Sequence, residues 1–273
     1  MTELSLIRLK KTFEKGTPNE KLALDDLSLD VAQGDFITVL GSNGAGKSTL
    51  FNAILGKFCL DRGTILLGGE NITAQKDYQR ALNIGCLFQD PMRGTAPNMT
   101  IEENLALAYT RKASRSFFAV NRRDSAYFRE LLSSLNLGLE DRMKTRMGLL
   151  SGGQRQAASL LMATIAEPKL LLLDEHTAAL DPGTAEKVLK LTRQLVAEKH
   201  LTCLMITHNM QSALQIGNRT IVMDRGTVAL DISGETRAKL TVADLLRRFQ
   251  ASSGHDLDDD RILLDQQAQP AQG

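Results

Sequence analysis

A glycine-rich loop that also carries a lysine and hydroxyl side chains lies at residues 41–49. Its members are Gly41, Ser42, Asn43, Gly44, Ala45, Gly46, Lys47, Ser48 and Thr49. Glycines let backbone N–H groups converge on phosphate oxygens, and a helix that begins directly after them adds its dipole. In this pattern the lysine neutralises the β and γ oxygens of a nucleotide, and the Ser48 hydroxyl is a magnesium ligand. The loop therefore predicts a phosphate-binding site, and a purely structural glycine turn is the weaker interpretation.

Two adjacent carboxylates, Asp174 and Glu175, follow a run of leucines at residues 170–173. The run predicts a strand buried on both faces, and α/β proteins bind ligands at the carboxyl ends of such strands. We expect Asp174 to hold magnesium through water, and Glu175 to polarise the attacking water of an in-line phosphoryl transfer. Alone, such a pair is more often a solvated strand end. Its combination with the phosphate-binding loop favours the catalytic interpretation.

A second candidate anion site is the segment Ser151, Gly152, Gly153 and Gln154. Serine is a good N-cap for the helix that the following apolar spacing predicts, and the glycines leave the backbone donors of that helix uncovered. One chain then carries two elements that would each bind a γ-phosphate, and neither makes the other unnecessary. This suggests that each nucleotide is held by the loop of one subunit and by Ser151 and Gly153 of another, in a head-to-tail homodimer.

The elements that must position these residues alternate between strands and helices. Strands are predicted at residues 4–9, 22–31, 35–40, 170–173, 202–207 and 220–223. Helices are predicted from Lys47 to near Gly56, after Ser151, from Asp181 onwards and from Thr241 to about Gln250. The first strands are joined by turns and favour an antiparallel arrangement, whereas the later strand–helix alternation is typical of a parallel sheet. We predict an α/β fold with a mixed sheet.

Strand signals nearly vanish between about residues 89 and 166. Thr100 and Glu103 form a capping box ahead of helical apolar spacing, so this stretch is interpreted as a helical insertion. The tail at 251–273 is polar and is predicted to be flexible. The basic segment at 111–123 is interpreted as a solvated loop, with contact to lipid headgroups or a membrane subunit as the alternative.

Composition argues against several classes of protein. Lysine and arginine number 33 against 32 acidic residues, so net charge gives no reason to expect nucleic acid or anionic lipid as the main partner. The cysteines at 59, 86 and 203 match neither a zinc pattern nor a disulfide framework, which favours a reducing compartment. The first residues lack the pattern of a secretory signal, and no apolar run is long enough for a membrane span. We expect a cytoplasmic protein that reaches a membrane by docking onto another protein.

In this order, the motifs resemble the ATP-binding cassette (ABC) transporter ATPases over essentially residues 3 to 250. The resemblance implies ATP and Mg²⁺ as ligands, ATP hydrolysis as the activity and a P-loop NTPase fold. That fold has a mixed sheet core, an antiparallel β subdomain and an α-helical subdomain. We therefore expect a single ABC ATPase domain at 1–250, with the helical subdomain at about 89–166 inserted in its RecA-like core, followed by the tail.

The resemblance assigns roles to further residues. Gln89 resembles the glutamine that touches magnesium or water and signals to the membrane subunit, and Asp181 the aspartate that faces the opposite subunit's phosphate site. Gln154 belongs with Ser151 to the family's second phosphate-binding motif. His208 resembles the histidine that contacts the γ-phosphate. Phe13 lies where the family offers an aromatic ring to adenine, and a core phenylalanine is the alternative.

The resemblance also bears on the biological process. Residues 95–104 and 174–181 are similar to bacterial uptake cassettes that serve a ribose-type permease and a separate extracytoplasmic binding protein, some of them for amino acids. The permease would dock on the helical subdomain near Gln89, at the cytoplasmic face of the membrane. His176 departs from the family, which commonly has proline there. The alternatives are an export or lipid-extraction cassette and, against the charge balance, a soluble regulator in translation or DNA repair.

Overall fold

The computed structural model describes residues 1–90, 92–110, 122–255 and 257. The chain divides into two compact units, the first formed by Met1–Arg80 with Thr202–Gly273 and the second by Ala81–Leu201. Most of the predicted tail, and residues 111–121 of the basic segment, lie outside the described residues. The predictions of a domain at 1–250 and of a helical insertion at 89–166 stay predictions.

The strands and helices below are those of the described residues, numbered in chain order. The strands are β1 Thr2–Phe13, β2 Lys21–Ala32, β3 Phe36–Leu40, β4 Arg62–Leu67, β5 Glu70–Asn71, β6 Ile84–Leu87, β7 Leu170–Asp174, β8 Thr202–Ile206, β9 Arg219–Asp224 and β10 Thr227–Ser233. The helices are α1 Lys47–Leu55, α2 Asp77–Arg80, α3 Ile101–Tyr109, α4 Arg122–Ser133, α5 Gly152–Thr164, α6 Pro182–Glu198, α7 Met210–Gln215, α8 Gly234–Ala238 and α9 Val242–Ser253. A 3₁₀ turn occupies Met147–Leu149.

The first unit contains an antiparallel sheet and a largely parallel group of strands. The antiparallel sheet has the strand order β2-β1-β4-β5. β3 pairs in parallel with β8 on one side and with β9 on the other, and β9 pairs antiparallel with β10. Every residue of β3 is buried, as its apolar run predicted. The α/β fold with a mixed sheet is therefore confirmed, whereas β4, β5 and β6 were not predicted from the sequence.

Helix α1 begins at the phosphate-binding loop and ends against a buried arginine. The Arg80 side chain is 3% exposed, and it donates hydrogen bonds to the carbonyl oxygens of Ala53 and Ile54 at 2.8 and 2.9 Å. The same guanidinium reaches the carbonyls of Thr73 and Gln75 at 2.8 and 3.0 Å. Burial lowers the pKa of Arg80, although a guanidinium remains charged in proteins. A cation thus satisfies the last carbonyls of α1, where the helix dipole is negative.

The second unit contains the parallel pair β6–β7 and a helical core. β6 and β7 are in register from Ile84 opposite Leu170 to Leu87 opposite Leu173. Apolar residues of α3, α4 and α5 pack into one cluster that includes Phe128 and Leu161, both fully buried. The capping box predicted at the start of α3 is present. Among the described residues, no helix is both long enough and apolar enough to traverse a lipid bilayer.

Candidate functional site

The phosphate-binding loop approaches neighbouring backbone so closely that two of its glycines tolerate no side chain. A Cβ atom on Gly41 would lie 2.4 Å from the carbonyl oxygen of Met223, and one on Gly46 would lie 2.6 Å from that of Ala23. Both glycines also have positive φ angles, 149° and 102°. Gly44 has a φ of 85° but faces open space, with only the Lys21 ammonium within 4 Å. The loop is therefore fixed by its surroundings at both ends and accessible in its middle.

The first backbone N–H groups of α1 are not bonded to carbonyl groups of the helix itself. Gly46 is the N-cap and provides no side-chain hydrogen bond to the helix. The first helical bond runs from the N–H of Leu50 to the carbonyl oxygen of Gly46 at 2.8 Å, so the N–H groups before it have no partner within the helix. Such donors, together with the positive end of the helix dipole, form a site for an anion.

Lys47 adds a cation to this site. Its side chain is 6% exposed, and its ammonium group donates to the carbonyl oxygens of Gly41 and Ser42, the latter at 3.0 Å. The Lys47 side chain is therefore folded back onto the loop at 41–49. Backbone donors and a held ammonium group fit the phosphates of a nucleotide.

Phe13 lies in a small aromatic cluster at the end of β1. Its half-buried ring meets the Phe58 ring edge to face, with ring centroids 5.2 Å apart. The Lys11 ammonium lies 5.3 Å from the Phe13 centroid and 5.2 Å from that of Phe58. Phe13 is also the pairing partner of Lys21, the residue beside Gly44. The stacking of Phe13 on adenine stays a prediction.

His208 follows β8, and the loop at 41–49 follows β3. The two strands run parallel and in register, with Val39 opposite Ile206. Because the carboxyl ends of parallel neighbours lie at the same edge of a sheet, His208 and the loop emerge on the same side of the first unit. The next residue, Asn209, caps α7 by accepting a hydrogen bond from the N–H of Ser212 at 2.7 Å. The histidine is thus held between a strand end and a helix start.

The second unit carries the two carboxylates and Gln89. β6 and β7 are parallel, so Gln89 and Asp174 emerge at the same edge of this pair. Glu175 has a φ of 44°, in the left-handed region that side chains other than glycine rarely adopt. Such a conformation costs about 1 to 3 kcal/mol and persists only where neighbouring structure enforces it. No sequence motif predicted this left-handed conformation of Glu175.

His176, the residue that departs from the family pattern, is buried. The side chain is 3% exposed, and its Nε2 atom lies 3.1 Å from the hydroxyl of Thr192 on α6. Burial lowers the pKa of His176 to about 4, so the imidazole is neutral near neutral pH. Thr192 was not predicted as a site residue, because its separation from His176 matches no local pattern.

Ser151 caps α5 as predicted. Its hydroxyl oxygen accepts a hydrogen bond from the N–H of Gln154 at 3.3 Å, and the Gln154 side chain accepts one from the N–H of Ser151 at 3.4 Å. Ser151 and Gly152 are exposed, whereas Gly153 is buried. The start of α5 therefore has a formed cap and an exposed N-terminus.

Asp181 caps α6 close to the start of α5. Its carboxylate accepts a hydrogen bond from the N–H of Thr184 at 3.0 Å. Hydrogen bonds from the side chain and backbone of Thr184 lower the pKa of Asp181. A Cβ atom on Gly153 would lie only 2.2 Å from the Thr184 methyl carbon, Cγ2. Gly153 thus allows the first turns of the two helices to touch, which brings Ser151 and Asp181 to the same part of the second unit.

The predicted site residues divide between the two units. The first unit holds Phe13, the loop at 41–49 and His208, and the second holds Gln89, Ser151, Gly153, Gln154, Asp174, Glu175 and Asp181. Among the described residues, no group of three or more histidine, cysteine, aspartate or glutamate side chains is placed to hold a metal ion. The common reaction centre formed by these residues stays a prediction.

Comparison with known proteins places the chain among ABC proteins. A family model described as ABC transporter matches residues 24–178. The chain is 40% identical over 247 residues to the tyrosine transport ATP-binding protein of Clostridioides difficile (strain R20291), covering 90% of this chain and 98% of the relative. It is 36% identical over 207 residues to the xylose/arabinose import ATP-binding protein of Sulfolobus acidocaldarius, covering 76% of this chain and 80% of that relative.

Solved structures of ATP-binding cassettes have a similar fold. The dimeric, post-hydrolysis state of an ATP-binding cassette bound to ADP and Pi matches with a TM-score of 0.72 and 28% sequence identity. The match covers 84% of this chain and 98% of that cassette. The fold class predicted from the sequence is therefore that of ATP-binding cassettes.

The contact between Gly153 and Thr184 leads to a test of how α5 and α6 are held together. Gly153→Ala is expected to lower the free energy of unfolding by about 1 to 3 kcal/mol, because the new methyl group overlaps Thr184. Adding Thr184→Ser, which removes the opposing methyl group and keeps the hydroxyl, should recover most of that loss. Urea denaturation measures both values.

Gly152→Ala is the matched control for this test. Its Cβ atom would meet only a Leu180 methyl carbon, at 3.1 Å, and this flexible side chain can shift. The change should therefore cost less than Gly153→Ala. Equal losses for the two alanine variants, or no recovery with Thr184→Ser, would contradict the proposed contact.

Proposed function

The chain belongs to the ABC transporter family, and we propose that it is the ATP-hydrolysing nucleotide-binding subunit of an importer. The observation that carries the proposal is the phosphate-binding loop. Two of its glycines pack where side chains do not fit, it leads into a helix whose N-cap is a glycine, and it holds the buried side chain of Lys47. These features favour a polyphosphate ligand over a structural turn.

ATP binding uses the first unit in this proposal. The loop at 41–49 donates its backbone N–H groups to the phosphates, and Lys47 neutralises the β and γ oxygens. Phe13 stacks on adenine, a contact that contributes about 1 to 3 kcal/mol in other base-binding proteins. Ser48, Asp174 and Gln89 would hold Mg²⁺, and an oxygen-rich set completed by water and phosphate suits that ion. Mg²⁺ held there would supply positive charge that offsets the negative charge of the phosphates.

Hydrolysis depends on residues that follow strand ends. Glu175 accepts a hydrogen bond from the attacking water and directs its lone pair in line with the bond to the leaving ADP. His208 donates a hydrogen bond to the γ-phosphate and senses its presence. Positioning and electrostatic stabilisation provide most of the catalysis in phosphoryl transfer, so small shifts of these groups are costly.

We further propose that two copies complete each other's sites, head to tail. Ser151, Gly153 and Gln154 belong to a helix start at which Ser151 and Gly152 are exposed, and this start is a second place for the γ-phosphate. In this dimer Ser151 of one copy contacts the nucleotide bound at Lys47 of the other, and Asp181 faces the same interface. ATP closes the dimer because contacts to the γ-phosphate exist only in the closed state, and hydrolysis reopens it.

The transport process is proposed from the relatives. Their names include tyrosine transport, xylose/arabinose import and methionine import, which supports uptake and, from the first and third, an amino acid substrate. The subunit would work at the cytoplasmic face of the membrane beneath a ribose-type permease that docks near Gln89. An extracytoplasmic binding protein would deliver the substrate, and nucleic acid is not a partner.

The role of Glu175 is tested by Glu175→Gln. The amide keeps the shape of the side chain and loses the base, so kcat for ATP hydrolysis should fall about 100-fold or more while ATP still binds. The variant should therefore accumulate as an ATP-bound dimer, which gel filtration with ATP detects. Glu186→Gln, an exposed glutamate of α6, is the control and should hydrolyse ATP at the parental rate. Parental turnover by Glu175→Gln would remove its assigned role.

Sharing of sites between copies is tested by mixing two inactive variants. Lys47→Ala lacks the loop cation and should bind nucleotide weakly, whereas Ser151→Asp keeps a good N-cap but places a negative charge against the phosphate. A mixed dimer contains one intact site, so equal mixing should restore about a quarter of parental activity if dimers form at random and sites act independently. ATPase assays of each variant and of the mixture measure this. No recovery in dimers known to exchange would mean that each copy holds its own complete site.

Coupling to transport predicts a membrane partner. After expression in its native host and extraction with detergent, the chain should co-purify with an integral membrane permease. Variants of Met92, an apolar residue exposed near Gln89, should weaken that association if the permease docks there. Recovery of ribosomes or DNA in place of a permease would contradict the transport assignment.

A further inference from the structure

The left-handed conformation of Glu175 needs neighbouring contacts that hold it. The turn after β7 is stabilised by two backbone hydrogen bonds, from Ala178 N–H to the Glu175 carbonyl at 2.9 Å and from Leu180 N–H to the Thr177 carbonyl at 3.1 Å. These bonds shape the turn but lie on the carboxyl side of Glu175. The next residue, His176, is anchored through its side chain.

His176 links this turn to the middle of α6. Its Nε2 atom lies 3.1 Å from the Thr192 hydroxyl, and that hydroxyl donates to the carbonyl oxygen of Val188 at 2.8 Å. A threonine hydroxyl has one hydrogen, so when it donates to Val188 it must accept from His176. His176 therefore carries its proton on Nε2 and donates it to Thr192.

The same helix holds the other end of the segment. Asp181 caps α6 through the N–H of Thr184 at 3.0 Å, and Thr192 lies about three turns further along. The segment from Glu175 to Asp181 is therefore attached to α6 at two points, one at its first turn and one in its interior. Two attachments to one rigid helix define where the residues between β7 and α6 lie.

We propose that the hydrogen bond from His176 to Thr192 holds Glu175 in its hydrolytic position, which makes His176 and Thr192 positioning residues for ATP hydrolysis. This inference rests on the proposed function, in which Glu175 directs the attacking water. His176 and Thr192 act through the backbone of the turn and not on the nucleotide. Their loss should therefore change turnover and leave nucleotide affinity intact.

Thr192→Val tests the proposal, because valine keeps the branched shape and removes the hydroxyl. The kcat for ATP hydrolysis, expressed per nucleotide-binding site, should fall about tenfold while the dissociation constant for ATP stays within about twofold. Thr192→Ser retains the hydroxyl and should restore kcat. A residue that only stabilises the fold would change the number of folded sites and not the turnover of each site.

Thr164→Val is the matched control. Thr164 is also fully buried in a helix, and its hydroxyl bonds to the carbonyl of Leu160 at 3.0 Å, but its hydrogen bonds involve no histidine. Its kcat should equal the parental value. A second readout is the Glu175→Gln background, in which Thr192→Val should cause no further loss in single-turnover hydrolysis because both changes affect the same step.

The outcomes separate this inference from the proposed function. Equal kcat values for Thr192→Val and Thr164→Val, or a full tenfold loss from Thr192→Val in the Glu175→Gln background, would overturn the positioning role while leaving ATP hydrolysis in place. A parental chain that binds ATP and does not hydrolyse it would instead overturn the proposed function.

Discussion

Close contacts between backbone segments around the end of β3 hold the phosphate-binding loop in the first unit. Gly41 lies against the carbonyl of Met223 in β9, and Gly46 lies against that of Ala23 in β2. Gly226, in the turn after β9, donates its N–H to the carbonyl of Ala45 at 2.9 Å. The phosphate-binding loop is thus held by strands from both sheets of the unit. Contacts with these strands therefore define the backbone conformation of the loop.

Ser151 and Asp181 each cap a helix of the second unit, and each also has a proposed role at the nucleotide. A serine hydroxyl that accepts a capping hydrogen bond keeps its own hydrogen for another acceptor, such as a phosphate oxygen. Ser151 can therefore cap α5 and donate to a ligand at the same time. The Asp181 carboxylate accepts from Thr184 and keeps a negative charge, which its lowered pKa favours. It suits a donor or a cation across an interface and repels a bare phosphate.

Much of the fold and most of the candidate residues could be predicted because their signals are local. The loop at 41–49, the cap at Ser151 and the carboxylates after the leucine run each occupy consecutive positions. β6 was missed because Gly85 interrupts a short apolar run, and the reason for that glycine lies far along the chain. A Cβ atom there would meet the carbonyl of Ala163 in α5 at 2.4 Å. The left-handed Glu175 and the partner of His176 were missed for the same reason, since both depend on residues brought together only by folding.

The buried position of Arg80 affects how the first unit responds to ionic strength. Surface pairs such as Lys57 and Asp77, about half exposed, lose most of their attraction when ions accumulate around them. The guanidinium of Arg80 is bonded to carbonyl oxygens in the interior, where dissolved ions do not penetrate. The carboxyl end of α1 is therefore held by hydrogen bonds from Arg80 whose strength depends little on ionic strength.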